Sequence, residues 1–472
     1  TLKPFESAFY PRFCWRHYAA HPRLLYAAPR QLVLGMLLLV YALNWIDRQI
    51  IGILVIPIKH ELGLTDTQLG TLGGVAFAIF YAGLGIPIAW LADRKSRTWI
   101  ITISLGLWSL FTALCGTATN FWHMFAYRMG VGVGEAGGVA PSFALITDYF
   151  PKHLRSRAIA IYAFGIPIGS AAGIMLGGWI ANAVNWRTAF IVVGLAGLLL
   201  TPIFRVLVRE PVRAVEGRTS TLETAAPPSL SAIVALLVRK PSFLFLAFGS
   251  SLASLMNYGL VFWLPAFFSR TFGLGLTTIS MGYGTVVLVS GVLGVWLGGW
   301  LGDRFGPDNP AAHVRVGAAM LAAAVPFYIA GLMMPSAFVA LLLFVVPAAL
   351  SYVWFSPIIS SIQLLAPPPA RATASACFLF INNLIGVGLG SLILGALSDA
   401  MRAHFGEQSL RYSILCGLTL YVVSSILFAA ATRYVNRDCV RESERYDDPT
   451  TSSPACDSVD VDLPGKAARL LE

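Results

Sequence analysis

The sequence predicts an all-α membrane protein of twelve transmembrane helices in two pseudo-symmetric six-helix bundles, and three observations carry that prediction. Hydrophobic residues make up 57% of the 472 and charged residues only 12%, with a mean hydropathy of +0.71; soluble globular domains do not have this balance. Apolar runs of about 20 residues, enough to cross the hydrocarbon core as helix, recur along most of the chain. The two halves also repeat. Trp90-Leu91-Ala92-Asp93-Arg94 closes the second run and Trp300-Leu301-Gly302-Asp303-Arg304 closes the eighth, while Arg157-Ala158 opens the fifth and Arg371-Ala372 the eleventh. Six plus six spans with a repeated span-end motif is the pattern of carriers whose bundles rock about a site near the bilayer midplane.

In chain order, residues 1–30 are basic and aromatic (Arg12, Trp15, Arg16, Tyr18, Arg23, Arg30) and are expected to lie at the lipid headgroups as a cytoplasmic lead-in. Spans follow at 31–58, 67–92, 98–117, 121–148, 155–183 and 187–208, so the N-terminal bundle covers 31–208. A polar cytoplasmic link with Pro227 and Pro228 occupies 209–240. Spans at 241–268, 276–302, 313–333, 336–362, 371–398 and 410–432 form the C-terminal bundle, 241–432. The tail, 433–472, is charged and rich in Asp, Ser and Pro, and is expected to be disordered. In the fifth span Gly165, Gly169, Gly173 and Gly177 recur every fourth residue and predict a close-packing face at an interface that slides. Pro167 in the same span predicts a kink.

An even number of spans puts both termini on one side. That side carries 26 Lys and Arg against five on the other, which makes both termini cytoplasmic in a multi-pass protein of the bacterial inner membrane. The net charge of +10 then reflects topology rather than nucleic-acid binding. The six cysteines are scattered without a CxxC, so neither a metal centre nor a disulfide framework is implied. All seven histidines fall in loops or near span ends, which argues against an intramembrane enzyme. A primary pump would need a GxxxxGK[ST] phosphate loop, and none occurs. No cleavable signal peptide, catalytic residue, metal or cofactor is expected, and the default oligomeric state is a monomer.

The most informative stretch is 122–148, long and apolar enough to span a bilayer yet holding Arg128 and Glu135. A charge at membrane depth costs from about 3 kcal/mol on insertion scales to more than about 10 in simulations, so it faces a partner or a watery cavity. Seven residues separate the two, placing them on one helix face. Gly130, Gly134 and Gly138 form a stripe that admits a neighbouring helix. Gly132-x-Gly134-x-x-Gly137 formally matches a dinucleotide fingerprint, but no strand or βαβ unit surrounds it, and the match is rejected.

Several segments resemble known families. Gly85 followed by Asp93-Arg94-Lys95-x-Arg97 is similar to the loop signature of the major facilitator superfamily, with Ser96 where Gly is usual. More narrowly, LNWIDRQ (43–49), YRMGVGVGEAGGVAPS (127–142), DYFPKHLRSRA (148–158) and APPPARATA (366–374) together resemble the Spinster family. The LNWIDR piece is shared with anion:cation symporters, whereas GEAGGxAP is the more specific part. The drug-antiporter signature of the fifth helix is not matched by Gly165-Ile-Pro167. The resemblance implies the major facilitator fold and lipid transport: the movement of amphiphiles such as sphingolipids or lysophospholipids by alternating access.

On this frame Asp47, Arg48, Arg128 and Glu135 are the expected proton-coupling network of the central cavity. Glu135 is the proton carrier, Arg128 its partner and a holder of anionic headgroups, Asp47 completes the network, and Arg48 has a less defined role because it points about 100° away from Asp47. The bland alternative is a static buried ion pair. Asp93, Arg94, Arg97, Asp148, Arg155, Arg157, Asp303 and Arg304 form an expected cytoplasmic gate, with Asp93 facing the start of the eleventh helix and Asp303 that of the fifth. Asn257, Tyr258, Trp263, Tyr352, Trp354, Asn382 and Asn383 are expected to line a mildly polar C-terminal wall. A charged wall facing an apolar one suits a substrate with a head and a tail. The expected activity is therefore proton-coupled secondary transport of an amphiphilic or lipid substrate; the alternative is proton-coupled symport of a small organic anion, which would need a second cationic side chain in the C-terminal half.

Overall fold

A computed structural model describes residues 29–211, 230–305, 309–367 and 370–439. The predicted lead-in up to residue 28, the centre of the link and the tail beyond 439 lie outside the described residues.

Eleven helical segments are long and apolar enough to cross a membrane, and the last of them, Thr373–Asp438, is two spans. The chain reverses within it at Gly406, whose φ of 53° only glycine adopts without strain. The described residues thus form the twelve spans of the prediction. The first, Arg30–Ile53, breaks at Leu54 and continues as Val55–Leu62. The second is Asp66–Gly73 plus Val75–Arg94, started by a Thr65/Gln68 capping box. The third is Arg97–Cys115; the fourth is Phe121–Glu135 and Val139–Tyr149, interrupted at 136–138. The fifth is Lys152–Ala163 and Gly165–Ala183, and the sixth Trp186–Leu207. The seventh to ninth are Pro241–Phe272, Leu276–Phe305 and Pro310–Met333. The tenth divides at Trp354 into Ala337–Val353 and Phe355–Leu364. A π-helical turn, Asn383–Val387, interrupts the eleventh between Arg371–Asn382 and Gly388–Phe405. The twelfth is Ser409–Gly417 with Thr419–Asp438.

The interruptions have local causes. Pro167 lacks an N–H and crowds the carbonyl four residues back, and the fifth span breaks at Phe164, one turn upstream. The helix cap Glu210, just after the sixth span, accepts from the backbone N–H of Arg97 and Thr98 and so closes the open start of the third. Asn436, late in the twelfth, accepts from Ala311 N–H at the start of the ninth. This end-of-bundle cap is a second sign of the repeat, and it is not visible in the span-end motifs.

Three expectations need correction. The glycine stripe of the fifth span does not lie at a sliding interface: a Cβ on Gly165, Gly169, Gly173 or Gly177 would meet Tyr41, Ala42, Ile46 or Ile50 of the first span, inside the same bundle. The face that meets the other bundle is offset from it, with Gly178 against Ser280 and Gly284 against Met175. The link is not polar throughout, because Leu230–Val238 forms a short apolar helix whose Ile233 and Leu237 are buried. Nine residues rise about 14 Å, too little to cross a bilayer. The last helix runs on to Asp438, held by the backbone carbonyl of Asp438 accepting from Lys240 and its carboxylate accepting from Ser242. The stripe Gly130/Gly134 packs on Phe111 and Trp108 of the third span, as its spacing predicts.

The bundles meet where small residues let backbones touch. A Cβ on Gly70 or Gly74 would strike the carbonyl of Ser391 or Gly388, and Gly52 faces Phe262. The first span thus meets the seventh, the second the eleventh, and the fifth the eighth.

Candidate functional site

Four charged side chains occupy the middle of the N-terminal bundle: Asp47, 2% exposed, Arg128, 2%, and Glu135, 0%, are buried, and the Arg48 side chain, 10% exposed, is nearly so. Arg48 Nε donates to Glu135 Oε2 at 2.7 Å. The guanidinium of Arg48 is boxed by the rings of Trp45, Phe77 and Tyr81, with centroids 5.1, 4.9 and 4.5 Å away. Such cation–π contacts lower the cost of holding a charge in the dry interior. Arg128 takes a different place from the one its spacing implies. Its Nε points at the Leu72 carbonyl, 3.4 Å away, and its guanidinium lies 5.7 Å from the Phe77 ring. The partner of Glu135 is therefore Arg48 rather than Arg128. Seven residues rise about 10 Å along a helix, beyond the i+3 and i+4 neighbours whose side chains meet directly, whereas a residue of the first span crosses the fourth at the level of Glu135. Asp47 lies among Glu135, Thr112, Arg128 and Arg48. Asp47 Oδ1 and Glu135 Oε1 are buried without a hydrogen-bond partner, as are both ends of the Asn44 amide and the Thr112 hydroxyl.

Arg48 and Arg128 also line a small cavity between the two bundles. Tyr258, Val261, Phe262, Val387 and Ser391 form its other wall. A second small cavity lies within the C-terminal bundle and is lined by Asn257, Tyr283 and Tyr352 among others. Of the predicted C-terminal wall, Asn257, Tyr258 and Tyr352 face cavities. The others serve packing. Trp263 is fully buried with its Nε1 donating to the Ser391 carbonyl, Trp354 packs on Phe355 and Phe428, and Asn382 accepts from Ser254. Asn383 opens the π-helical turn.

The residues expected to gate the face where Arg30 starts and Asp438 ends, the terminal face, are spread along the N-terminal bundle and the eighth span. Arg97 pairs with Asp148 of its own bundle, and Arg155 donates to the Phe150 carbonyl. Arg94 and Arg304 stack on Trp90 and Trp300, one turn earlier in each repeat. Arg157 is exposed, and the side chains of Asp93 and Asp303 lie outside the described residues.

Sequence reasoning missed a junction on the opposite face. Asp66 is 1% exposed and takes both Nη atoms of Arg270 at 2.7 Å each, a two-toothed pair joining the second span to the seventh. Lys59 and Ser398 also donate to it. Asp399 accepts from the backbone N–H of Asp66 and Thr67, capping the second span from the eleventh. Nearby, Glu61 accepts from Arg187 and from the Trp186 indole. Lys59, Arg270 and Asp399 look like ordinary span-end charges in the sequence. The one available signal was Thr65-Asp66-Thr67-Gln68, a capping box with a carboxylate inside it.

No group of three or more His, Cys, Asp or Glu that could hold a metal ion occurs among the described residues. Comparison with known proteins agrees with this geometry. The family model of the Major Facilitator Superfamily matches residues 37–391. An MFS-type efflux pump of Mycolicibacterium smegmatis is 32% identical over 426 residues, covering 89% of this chain and 96% of that protein. Human protein spinster homolog 1 is 27% identical, covering 86% of this chain and 81% of its own. Among solved structures, a bacterial homolog of the human lysosomal transporter Spinster, in an inward-facing and unoccupied conformation, superposes with a TM-score of 0.79 at 29% identity over 88% of this chain and 99% of that one. Twelve spans in two repeats, a charged cavity between them and these relatives together establish that the chain belongs to the major facilitator superfamily, as a membrane transporter of its Spinster family.

Proposed function

We propose that the protein is a proton-coupled secondary transporter of an amphiphilic organic substrate of the lysolipid or sphingolipid kind. The observation that carries this reading is the cavity between the bundles, with Arg48 and Arg128 on one wall and Tyr258, Val261, Phe262 and Val387 on the other. A guanidinium recognises a phosphate or carboxylate head, and the apolar wall accepts a chain. Glu135 then supplies the coupling. An anionic head drawn to Arg48 competes with Glu135 for the same guanidinium, and a carboxylate that loses its cation in a dry site takes up a proton. The 26-to-five charge bias supports cytoplasmic termini, and in this reading the membrane is a bacterial inner membrane with the Asp66 junction closing its outer side. In that arrangement Asp93, Arg94, Arg97, Asp148, Arg155, Arg157, Asp303 and Arg304 form the inner gate once the bundles have rocked. Symport of a soluble organic acid has less support, since the C-terminal residues lining this cavity include no cation.

The test is uptake into proteoliposomes under an imposed pH gradient, with Glu135→Gln beside the parent. The isostere cannot titrate, so the folded variant loses gradient-driven uptake and keeps exchange. Full gradient-driven uptake by Glu135→Gln would overturn the coupling. A thermal-shift series with lysophospholipids, sphingoid bases and small organic acids at about pH 5.5 and about pH 7.5 tests the substrate class, because a ligand of the folded state raises its melting temperature. Stabilisation by soluble acids alone would overturn the amphiphile reading.

A further inference from the structure

Asn44 stands out in the N-terminal bundle. It sits one turn before Asp47 and Arg48 on the first span, on the same face, and is 2% exposed. It lies against Glu135, yet neither its amide nitrogen nor its amide oxygen has a hydrogen-bond partner. Thr112 of the third span lies against Asp47 at 1% exposure, and its hydroxyl is also unpartnered. Buried polar groups are nearly always bonded, so two such side chains beside two carboxylates call for a physical reason. The free carboxylate oxygens, Asp47 Oδ1 and Glu135 Oε1, belong to the same cluster.

The chemistry of the two side chains supplies that reason. An amide donates through its nitrogen to an ionised carboxylate and accepts through its oxygen from a protonated one; a hydroxyl can do both by rotating. Arginine can only donate, so Arg48 cannot accept from the O–H of a protonated Glu135. We propose that Asn44 and Thr112, unbonded here but lying against Glu135 and Asp47, are a positioning pair that hydrogen-bonds these carboxylates as their protonation changes and thereby sets the pH at which the cluster exchanges its proton. The inference rests on the proton-coupled reading of this site. The other charged and titratable groups facing the two carboxylates are Arg48 and Tyr41 from the first span, Cys115 from the third and Arg128 from the fourth, with Tyr81 of the second span and Tyr258 of the seventh facing Arg48. Of these, the arginines only donate; the tyrosine hydroxyls can both donate and accept, but among the described residues it is the Asn44 amide and the Thr112 hydroxyl that lie unpartnered against the two carboxylates.

The experiment follows the melting temperature of the full-length protein in detergent from about pH 4.5 to about pH 8.5, beside gradient-driven uptake in proteoliposomes. The part of the curve that disappears in Glu135→Gln belongs to the cluster. In Asn44→Leu its midpoint moves about one unit toward alkaline pH, a tenfold change in proton affinity, because the bond lost to the ionised carboxylate is the stronger one. Thr112→Val, nearly isosteric, moves it less, and Asn44→Gln returns it toward the parent value. A midpoint unchanged in Asn44→Leu overturns the proposal; should that variant not fold, an unchanged midpoint in Thr112→Val does so. The two readings fail separately. If parent uptake ignores the pH gradient while Asn44→Leu still moves the midpoint, the positioning role stands and the coupling falls. If uptake is gradient-driven and lost in Glu135→Gln while the midpoint stays fixed in Asn44→Leu, the positioning role alone falls.

Discussion

The two faces of the molecule use charge differently. On the terminal face the contacts named above lie inside one bundle: Arg97 meets Asp148, Glu210 caps the third span, and Arg94 and Arg304 lie on tryptophans of their own helices. On the opposite face charge joins the bundles, with Asp66 gripping Arg270 and Asp399 capping the start of the second span. Exposure follows the same division. Asp66 is 1% exposed and the Arg270 side chain 11%, whereas Asp148 is 30% exposed. A pair shielded from water is screened less and gains more from its geometry than one at the surface. The Asp66 junction therefore ties one bundle to the other, whereas the Arg97–Asp148 pair and the Glu210 cap tie elements within one bundle.

Breaking the junction should have the largest effect. Asp66→Ala leaves Arg270 and Lys59 without their carboxylate, and uncompensated buried charge costs about 3–5 kcal/mol. The expected outcome is a lower melting temperature and a population with the opposite face parted, read as longer distances between spin labels on the second and eleventh spans. Unchanged distances would mean that packing alone holds the face. Gly70→Ala comes next. Its methyl would meet the Ser391 backbone carbonyl, which has no rotamer to move, and overpacking of this kind costs about 1–3 kcal/mol. The same labels should part with every ion pair still present, which separates packing from charge.

On the terminal face smaller effects are expected. Burial works against the charge on Glu210, but hydrogen bonds from Thr98, Ser96 and Arg97 outweigh it and hold the carboxyl below its ordinary value of 4.5. A group with a depressed native pKa adds stability that is present above the unfolded value and is lost as pH falls through the native one. Glu210→Gln should therefore destabilise the protein at neutral pH by about 1 kcal/mol, as for other helix caps, with the difference from the parent fading as pH falls below the ordinary carboxylate value and through the depressed native one. A difference that persisted there would show the cap to be steric. Arg97→Ala should matter least, about 1 kcal/mol or less, as for other half-exposed pairs, with the label distances on the opposite face unchanged. A shift matching that of Asp66→Ala would erase the contrast between the faces.

Much of this protein could be read from local pattern. Hydropathy over a span is a property of consecutive residues, so the twelve helices, their repeat and the two-bundle fold were all legible, as was the presence of Asp47, Arg48, Arg128 and Glu135 at membrane depth. The capped helix ends at Thr65 and Asn185 carried a local signal that the reading of the sequence did not use. The glycine stripe was legible as a packing face, but its partner was not, since spacing identifies a surface without identifying what covers it.

The pairing of charges was decided only by tertiary structure. Arg128 and Glu135 share a helix face, yet a helix separates them by two turns, and Arg48 on another span reaches Glu135 first. Asp66, Arg270 and Asp399 lie hundreds of residues apart and become one junction only because the second, seventh and eleventh spans end at the same level. Asn44 and Thr112 are unremarkable apolar-run residues until folding seals them beside two carboxylates. The sequence thus determined which groups would be buried, because burial follows from the hydrophobicity of neighbouring residues. Which of them would meet depended on how helices distant in sequence cross, and that is a property of the packed bundles.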